Sequence, residues 1–429
     1  MSMRVLVIGS GAREHALAWK LAGERVVDEV LCTPGNPGIA RVARCLSADP
    51  ADPAALADLA ARERVDLTVV GPEAPLERGV ADLFAARGQQ LFGPTRAAAQ
   101  LECSKVFAKE FMARHGVPTA RFAVCDTPEA AGTVLARGEF GMPVVVKADG
   151  LAAGKGVVVA PDRATAEEAV RETMIERRFG AAGARVVIEE CLQGTEASFF
   201  ALCDGTRALP LLSAQDHKRV FDGDRGPNTG GMGAFAPSPL CTPDVQAAIM
   251  SGIVDPVLRG LKAEGHEYRG FLYVGLMLTA DGPTVIEFNV RFGDPEAQVV
   301  IPMLDGELAP LLLAAARGDV SGLACRFRSE PHVGVVLASA GYPGDYETGK
   351  VIAGLDEAET LPEVVVFHAG TKLRDGTCAT SGGRVLTVVG RGHDFPAAIA
   401  RAYDAASRIS FEGMHYRKDI GQKALASCF

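Results

Sequence analysis

The chain has no Cys-x-x-Cys pair, no long basic run and no apolar stretch near the ~20 residues of a membrane span. Its ten cysteines are scattered from Cys32 to Cys428, and none stands near a histidine at zinc spacing. That excludes a zinc module and leaves reduced, mostly buried thiols, as expected of a cytoplasmic protein. The first apolar run, residues 5–8, is too short for a secretory signal. The net charge of −9 argues against a nucleic-acid partner. An anionic substrate must therefore meet local positive charge. Internal repeats and low-complexity segments are absent.

What is present is a globular composition, 48% hydrophobic and 23% charged over 429 residues. That length is too great for one core and predicts roughly three domains. Buried strands at residues 4–9, 27–36 and 65–73 alternate with helical patterns at 13–22 and 53–64. Such alternation predicts a Rossmann-like parallel sheet over residues 1–102, with ligands at the carboxyl ends of its strands. A helix is predicted from Lys105, and strands at 143–150, 156–160 and 185–192. Residues 216–234 read as one long loop, and residues 271–292 as a hairpin turned at 280–282. A shift in composition at 317–331 marks a boundary before a small α+β domain with a closing helix near 395–408.

"GLAAGKG" (residues 150–156) is the first motif that carries chemistry. It is not a P-loop: only three residues separate the first glycines, and no Ser or Thr follows Lys155. It joins two β-branched strands, yet ordinary hairpin turns carry no lysine. Small residues here let backbone N–H groups approach phosphate oxygens. Lys147, Gly150, Ala153, Gly154, Lys155 and Gly156 are thus expected to cover a triphosphate.

The metal is expected elsewhere. "TVIEFNVRFGDPE" (residues 284–296) alternates in period two, placing Ile286, Phe288 and Val290 on one face and Glu287, Asn289 and Arg291 on the other. A carboxylate and an amide oxygen two residues apart suit Mg²⁺. Arg291 beside them can neutralise a transferred phosphoryl group. The structural alternative makes Arg291 an ion-pair partner of Asp294 or Glu296.

Further candidates follow. Glu189, Glu190 and Glu196 flank the end of the 185–192 strand. Residues 216–234 hold five glycines together with Asp216, His217, Lys218 and Arg219. That combination predicts a loop that closes over substrate. "GSGAREHAL" (residues 9–17) resembles a dinucleotide fingerprint, but Glu14 replaces the third glycine. No acidic residue closes the second strand, so the turn is expected to hold a small phosphate with Arg13 assisting.

Taken together, these motifs resemble the ATP-grasp ligases. More narrowly they resemble the glycinamide ribonucleotide synthetase family of purine biosynthesis. The likeness runs in order through "GSGAREHAL", "VGPEAPL", "FGPT", "KADGLAAGKGV", "QDHKR", "GPNTGGMGA", "EFNVRFGDPE", "HAGTK" and "SGGRVL", with "RKDIG" at residues 417–421 extending it. "FDGDR" (residues 221–225) departs from the family pattern at Phe221 and Arg225.

The resemblance implies an enzyme that joins glycine to 5-phosphoribosylamine with ATP and Mg²⁺ or Mn²⁺, through glycyl phosphate. It implies an N-terminal domain to residue 102, and an ATP-grasp domain at 103–325 with a mobile lid at about 124–192. A C-terminal domain at 326–429 closes the pocket. It places Lys105 and Lys147 on ATP phosphates, Glu189, Glu190 and Leu192 at the adenine edge, and Glu196 on the ribose. Glu287 and Asn289 hold the metal, and Arg291, Asp216, Lys218 and Asp294 are catalytic. Gly9, Gly11, Arg13, Glu14, Pro72, Glu73, Gly230, Gly231, Lys372, Gly382, Gly383 and Arg384 surround the second substrate. A cytoplasmic monomer is implied, touching neighbouring pathway enzymes only transiently. Rival readings are a bicarbonate-using carboxylase of the same fold and a non-catalytic nucleotide sensor.

Overall fold

The structure is a computed structural model that describes residues 3–151 and 156–426. Its first unit is a five-stranded parallel sheet. The strand order is Arg44–Cys45, Val27–Pro34, Met3–Gly9, Leu67–Val70, Leu91–Phe92. The central strand is apolar on both faces, as a sheet covered on both sides requires. Val5 and Val7 pack on the helix Ala12–Ala22, and Leu6 and Ile8 pack on Leu56, Leu59 and Phe84. Gly9, Pro34 and Val70 end neighbouring strands and so set one polar edge.

Two antiparallel sheets follow. The smaller has the order Phe122–Cys125, Val186–Glu190, Val144–Ala148, Val157–Ala160. The larger has the order Ala208–Pro210, Thr195–Asp204, Arg269–Thr279, Gly282–Asn289. Lys147, in the smaller sheet, donates to the Ile286 carbonyl of the larger at 3.2 Å. Between them lies the helix Lys105–His115, whose N-cap Ser104 accepts from Phe107 N–H at 3.0 Å.

Two sequence expectations are corrected here. Residues 216–234 are not a plain loop: they contain the strands Arg219–Phe221 and Arg225–Asn228, paired as a small hairpin. They also belong to the sheet of the last unit, whose order is Gln215–Asp216, Gly233–Ala236, His332–Ala338, Arg384–Arg391, Val364–His368. Ile286 does not share the buried face of Phe288 and Val290. A bulge pairs Gly275 with Glu287 but Leu276 with Val285, so Val285 takes the core position and Ile286 is passed over.

The first unit is bound to the rest through the end of its first helix. Lys20 donates to the carbonyls of Leu304 and Gly306 at 3.0 and 2.6 Å. The buried Glu24 carboxylate accepts the N–H groups of Leu308 and Ala309 at 2.5 and 2.8 Å. It thereby caps the helix Ala309–Arg317 from another segment of chain. Glu24→Ala should therefore lower the unfolding free energy by about 1–2 kcal/mol, the cost of losing a cap. A urea titration checks this, and an unchanged midpoint would show that solvent can replace the carboxylate.

Candidate active site

The strand Gly282–Asn289 runs between the sheets, and its polar side chains sit among cations drawn from distant segments. Burial alone would raise the Glu287 carboxyl, but Lys218, Lys105, Lys147 and Arg291 outweigh it and hold the group below its usual value. Glu287 is thus an ionised oxygen donor next to the amide of Asn289. Arg291 is fixed from several sides. It donates to Glu102 at 2.8 Å, Glu73 at 3.3 Å, Asn289 Oδ1 at 3.3 Å and the Phe292 carbonyl at 3.1 Å. The expected alternative partners, Asp294 and Glu296, are replaced by Glu73 and Glu102. Those two arrive from before the ATP-grasp segment, which local sequence cannot reveal. Glu102 is pushed up to about 7 by burial, against the pull of Arg291 and with the help of Glu73. Its second oxygen accepts Val290 N–H at 2.7 Å.

A second ionic group lies beneath. Glu189 is buried between Lys109 and Lys147, and forms an ion pair with each. Lys109 also donates to Thr119 at 2.7 Å, and burial lowers it to about 8 in spite of Glu189. Glu189 was expected at an adenine edge, and its side chain here orients the lysines. Glu190 turns outward to Arg121 at 2.7 Å. Leu192 follows the strand, half-buried. Lys105 opens its helix, and Ser104 and Val106 of that turn donate to Asp149 at 2.8 and 3.2 Å. Asp149 also receives Arg185 at 2.6 Å, so the strand end leading to Gly150 is tied to the helix start. Gly156 accepts from Ala148 N–H at 2.8 Å on the far side of the turn. Ala153, Gly154 and Lys155 lie outside the described residues.

Across the cleft, Lys218 pairs with Glu196 at 2.9 Å. Asp216 is raised above the ordinary carboxylate range by burial, and Glu296, Glu196 and Glu287 add to this while Lys218 opposes it. Glu296 accepts from Ser198 Oγ at 3.0 Å, and that hydroxyl also meets Tyr273 OH at 3.0 Å. Asp216, Lys218, Glu196, Glu287 and Glu296 form one electrostatic neighbourhood.

The third side is built on the first turn of the parallel sheet. Glu14 explains its own presence where a dinucleotide site has glycine. Its carboxylate accepts Gly11 N–H and Arg13 Nε, each at 2.6 Å. It also fills the space over Gly9 and Gly71, where any Cβ would overlap it. Arg13 reaches on to the Phe292 carbonyl at 3.2 Å. Pro72 starts the short helix that carries Glu73. Asp294 accepts from Gln298 at 2.7 Å and lies 3.4 Å from Arg384, which also donates to the carbonyls of Asp294 and Gly230, each at 2.7 Å. Gly231 has φ +111° and lies hard against Pro295, where a Cβ does not fit. Gly382 and Gly383 precede Arg384 and accept from Ser339 at 2.9 and 2.8 Å. Lys372 stands exposed on the strand Thr371–Arg374, apart from these contacts.

Glu102, Lys109, Asn36 and Asp149 are missing from the sequence reading. Asn36 donates to the carbonyls of Ser10 and His368, each at 2.8 Å, and so joins the first and last units. Lys109 and Glu102 do leave a trace, as charges on otherwise apolar helical faces. Among the described residues no three His, Cys, Asp or Glu gather as a metal cluster, and no helix is long and apolar enough to cross a membrane.

An ionised strand face between two antiparallel sheets, ringed by lysines, defines an ATP-grasp enzyme. The family models agree by segment. The phosphoribosylglycinamide synthetase N domain matches residues 3–102, the ATP-grasp (A) domain 103–297 and the C domain 332–423. The chain belongs to the phosphoribosylglycinamide synthetase family, and its activity is that of a phosphoribosylamine–glycine ligase of purine biosynthesis. It is 52% identical over 427 residues to the Pseudomonas aeruginosa phosphoribosylamine–glycine ligase, covering 99% of each chain. The Brucella melitensis ligase is 50% identical over 423 residues, covering 99% of this chain and 98% of that one. The crystal structure of the Thermotoga maritima ligase aligns with TM-score 0.84 at 37% identity, covering 97% and 99%. A Campylobacter jejuni biotin carboxylase shares the fold alone, with TM-score 0.73 at 16% identity over 99% and 95% of the two chains.

Glu189→Gln should leave two lysines facing each other without their shared counter-ion. The expected loss is roughly 3 kcal/mol, the scale of breaking a buried pair. Thermal unfolding of mutant and parent measures it, and an unchanged midpoint would mean that one lysine simply sheds its proton.

Proposed function

We propose that Lys105, Lys147 and the 150–156 turn hold the ATP phosphates, while Arg291 and Lys218 attend the reacting centre. The observation that carries this is the convergence of Lys105, Lys147, Lys218 and Arg291 on the single carboxylate Glu287. Each of Lys147, Lys218 and Arg291 also has an acidic partner of its own, so the cations are held in place around the strand face, an arrangement that suits a polyanionic ligand. Glycine's carboxylate attacks the γ-phosphorus of ATP, giving glycyl phosphate and ADP. The amine of phosphoribosylamine then attacks the acyl carbon, phosphate leaves, and the amine gives up a proton. Asp216, raised by burial and further by the acids around it, is suited to receive that proton. Arg13, Glu14, Asp294, Arg384 and the Gly230–Gly231 turn line the side that receives the sugar phosphate. The enzyme works as a cytoplasmic monomer.

The donor set fits Mg²⁺. Glu287 is ionised, Asn289 offers a neutral oxygen, and two protein donors suffice for an ion that keeps water and phosphate oxygens. The ion supplies charge neutralisation on the phosphates when bound. Glu287→Gln keeps the side chain's shape and removes its charge, so the Mg²⁺ concentration for half-maximal activity should rise at least about tenfold. An unchanged requirement removes Glu287 from the metal.

The deciding experiment follows ADP release with glycine and phosphoribosylamine supplied singly and together, with bicarbonate as the rival acceptor. Full turnover should need both, and bicarbonate should not replace glycine. In Arg291→Ala, turnover should fall roughly 10²-fold, the scale of losing a transition-state donor, with ATP affinity within a few-fold. Thermal stability should fall only modestly, because Glu102, already near 7, can take up a proton when its partner is removed. Full activity in a folded Arg291→Ala enzyme would refute its assignment to the reacting centre.

A further inference from the structure

The departing motif "FDGDR" and the terminal "RKDIG" have no part in the chemistry, yet they are joined in one contact around a buried arginine. The hairpin Arg219–Phe221 and Arg225–Asn228 rises directly from the site. Its base carries Lys218 on one side and the Gly230–Gly231 turn on the other. Thr229 closes that base by donating its N–H and Oγ1 to the Lys218 carbonyl at 2.7 and 2.8 Å.

The tip is held by residues 415–423. Arg417 has no exposed surface at all. Its Nε and Nη2 donate to Asp419 at 2.7 Å each, and Nη1 donates to Asp224 at 2.9 Å and the Arg219 carbonyl at 3.0 Å. Asp419 returns the contact by accepting Gly223 N–H at 2.9 Å, and Asp222 accepts Lys418 N–H at 2.8 Å. Lys423 lies 2.8 Å from Asp224. Tyr403, on the helix Phe395–Arg408, donates to the Arg417 carbonyl at 2.8 Å and accepts Ile420 N–H at 2.9 Å, which pins the segment to the last unit.

A fully buried guanidinium is costly to desolvate and is weak evidence for stability by itself. Here its forked donors fix the tip of a hairpin in two directions, which a hydrophobic plug would not do. We propose that Arg417, Asp419 and Asp224 are positioning residues for the ligation step. Through the hairpin they hold Lys218 and Gly230–Gly231 where the aminosugar must meet the acyl phosphate. The proposal rests on the reading that the hairpin's base belongs to the reacting site.

Loosening the latch lets water reach glycyl phosphate before the amine does. Water then adds to the acyl carbon, phosphate leaves, and glycine is regenerated, so ATP is spent without product. The test measures ADP and glycinamide ribonucleotide together in the full-length enzyme. The variants are Asp224→Asn, Asp419→Asn and Arg417→Lys, which are milder than removing the buried arginine. The ADP-to-product ratio should rise from near one to about two or more. KM for phosphoribosylamine should rise about tenfold, the cost of a small misplacement, with KM for ATP within about twofold. Arg417→Lys should be less impaired than Arg417→Ala wherever the latter folds. A folded set of variants with tight coupling and unchanged KM would overturn the proposal. Lys218→Met separates the two levels. If it keeps full turnover, the base is not the site and both readings fall. If it is impaired while the latch variants stay coupled, only the latch falls.

Discussion

The partly buried guanidinium of Arg291 is the constraint on which the site depends. A charge in that position must be matched, and its partners come from two other segments: Glu73 at the start of a short helix and Glu102 on the helix Gln100–Cys103. The same contact brings the N-terminal sheet edge, the entry to the ATP-grasp segment and the strand Gly282–Asn289 into one geometry. Arg13, reaching the Phe292 carbonyl, and Asn36, bridging Ser10 to His368, repeat the connection on either side. The reacting centre therefore belongs to no single unit, and its geometry is only as good as their docking.

Charge inside this cleft is arranged rather than simply accumulated. Glu189 sits between Lys109 and Lys147, so the two ammonium groups share one counter-ion beside the cleft. Glu287 is kept ionised by cations, while Asp216 is raised by burial, with nearby carboxylates adding to it. Two acids of the same chemistry, separated by their surroundings, can serve as ligand and as proton acceptor. An anionic protein thus meets an anionic substrate without a basic surface.

The legible part of the molecule was the part written in local pattern. Alternating strands and helices gave the parallel sheet, and the closing helix Phe395–Arg408 matched its predicted span. The order of motifs identified the family. What local pattern could not show was pairing over long separations. Glu102 reads as one charge in a helical turn, and only the fold puts it 2.8 Å from Arg291. The bulge at Ile286 was invisible for a related reason, since perfect period-two alternation carries no mark of the strand opposite. Residues 216–234 misled because their glycines suggested a loop, while the sheet that anchors their last strand is completed by His332–Ala338, far along the chain.

That last feature bears on how the protein is made. The strand Gly233–Ala236 pairs with His332–Ala338, and the sheet is completed only by Arg384–Arg391 and Val364–His368. On a ribosome moving at about 5–20 residues per second, the earlier strands wait on the order of ten seconds for their partners. During that interval the middle of the chain presents unpaired strand edges, which are prone to pair wrongly. The last unit cannot be exchanged as a cassette between relatives without carrying residues 215–236 with it.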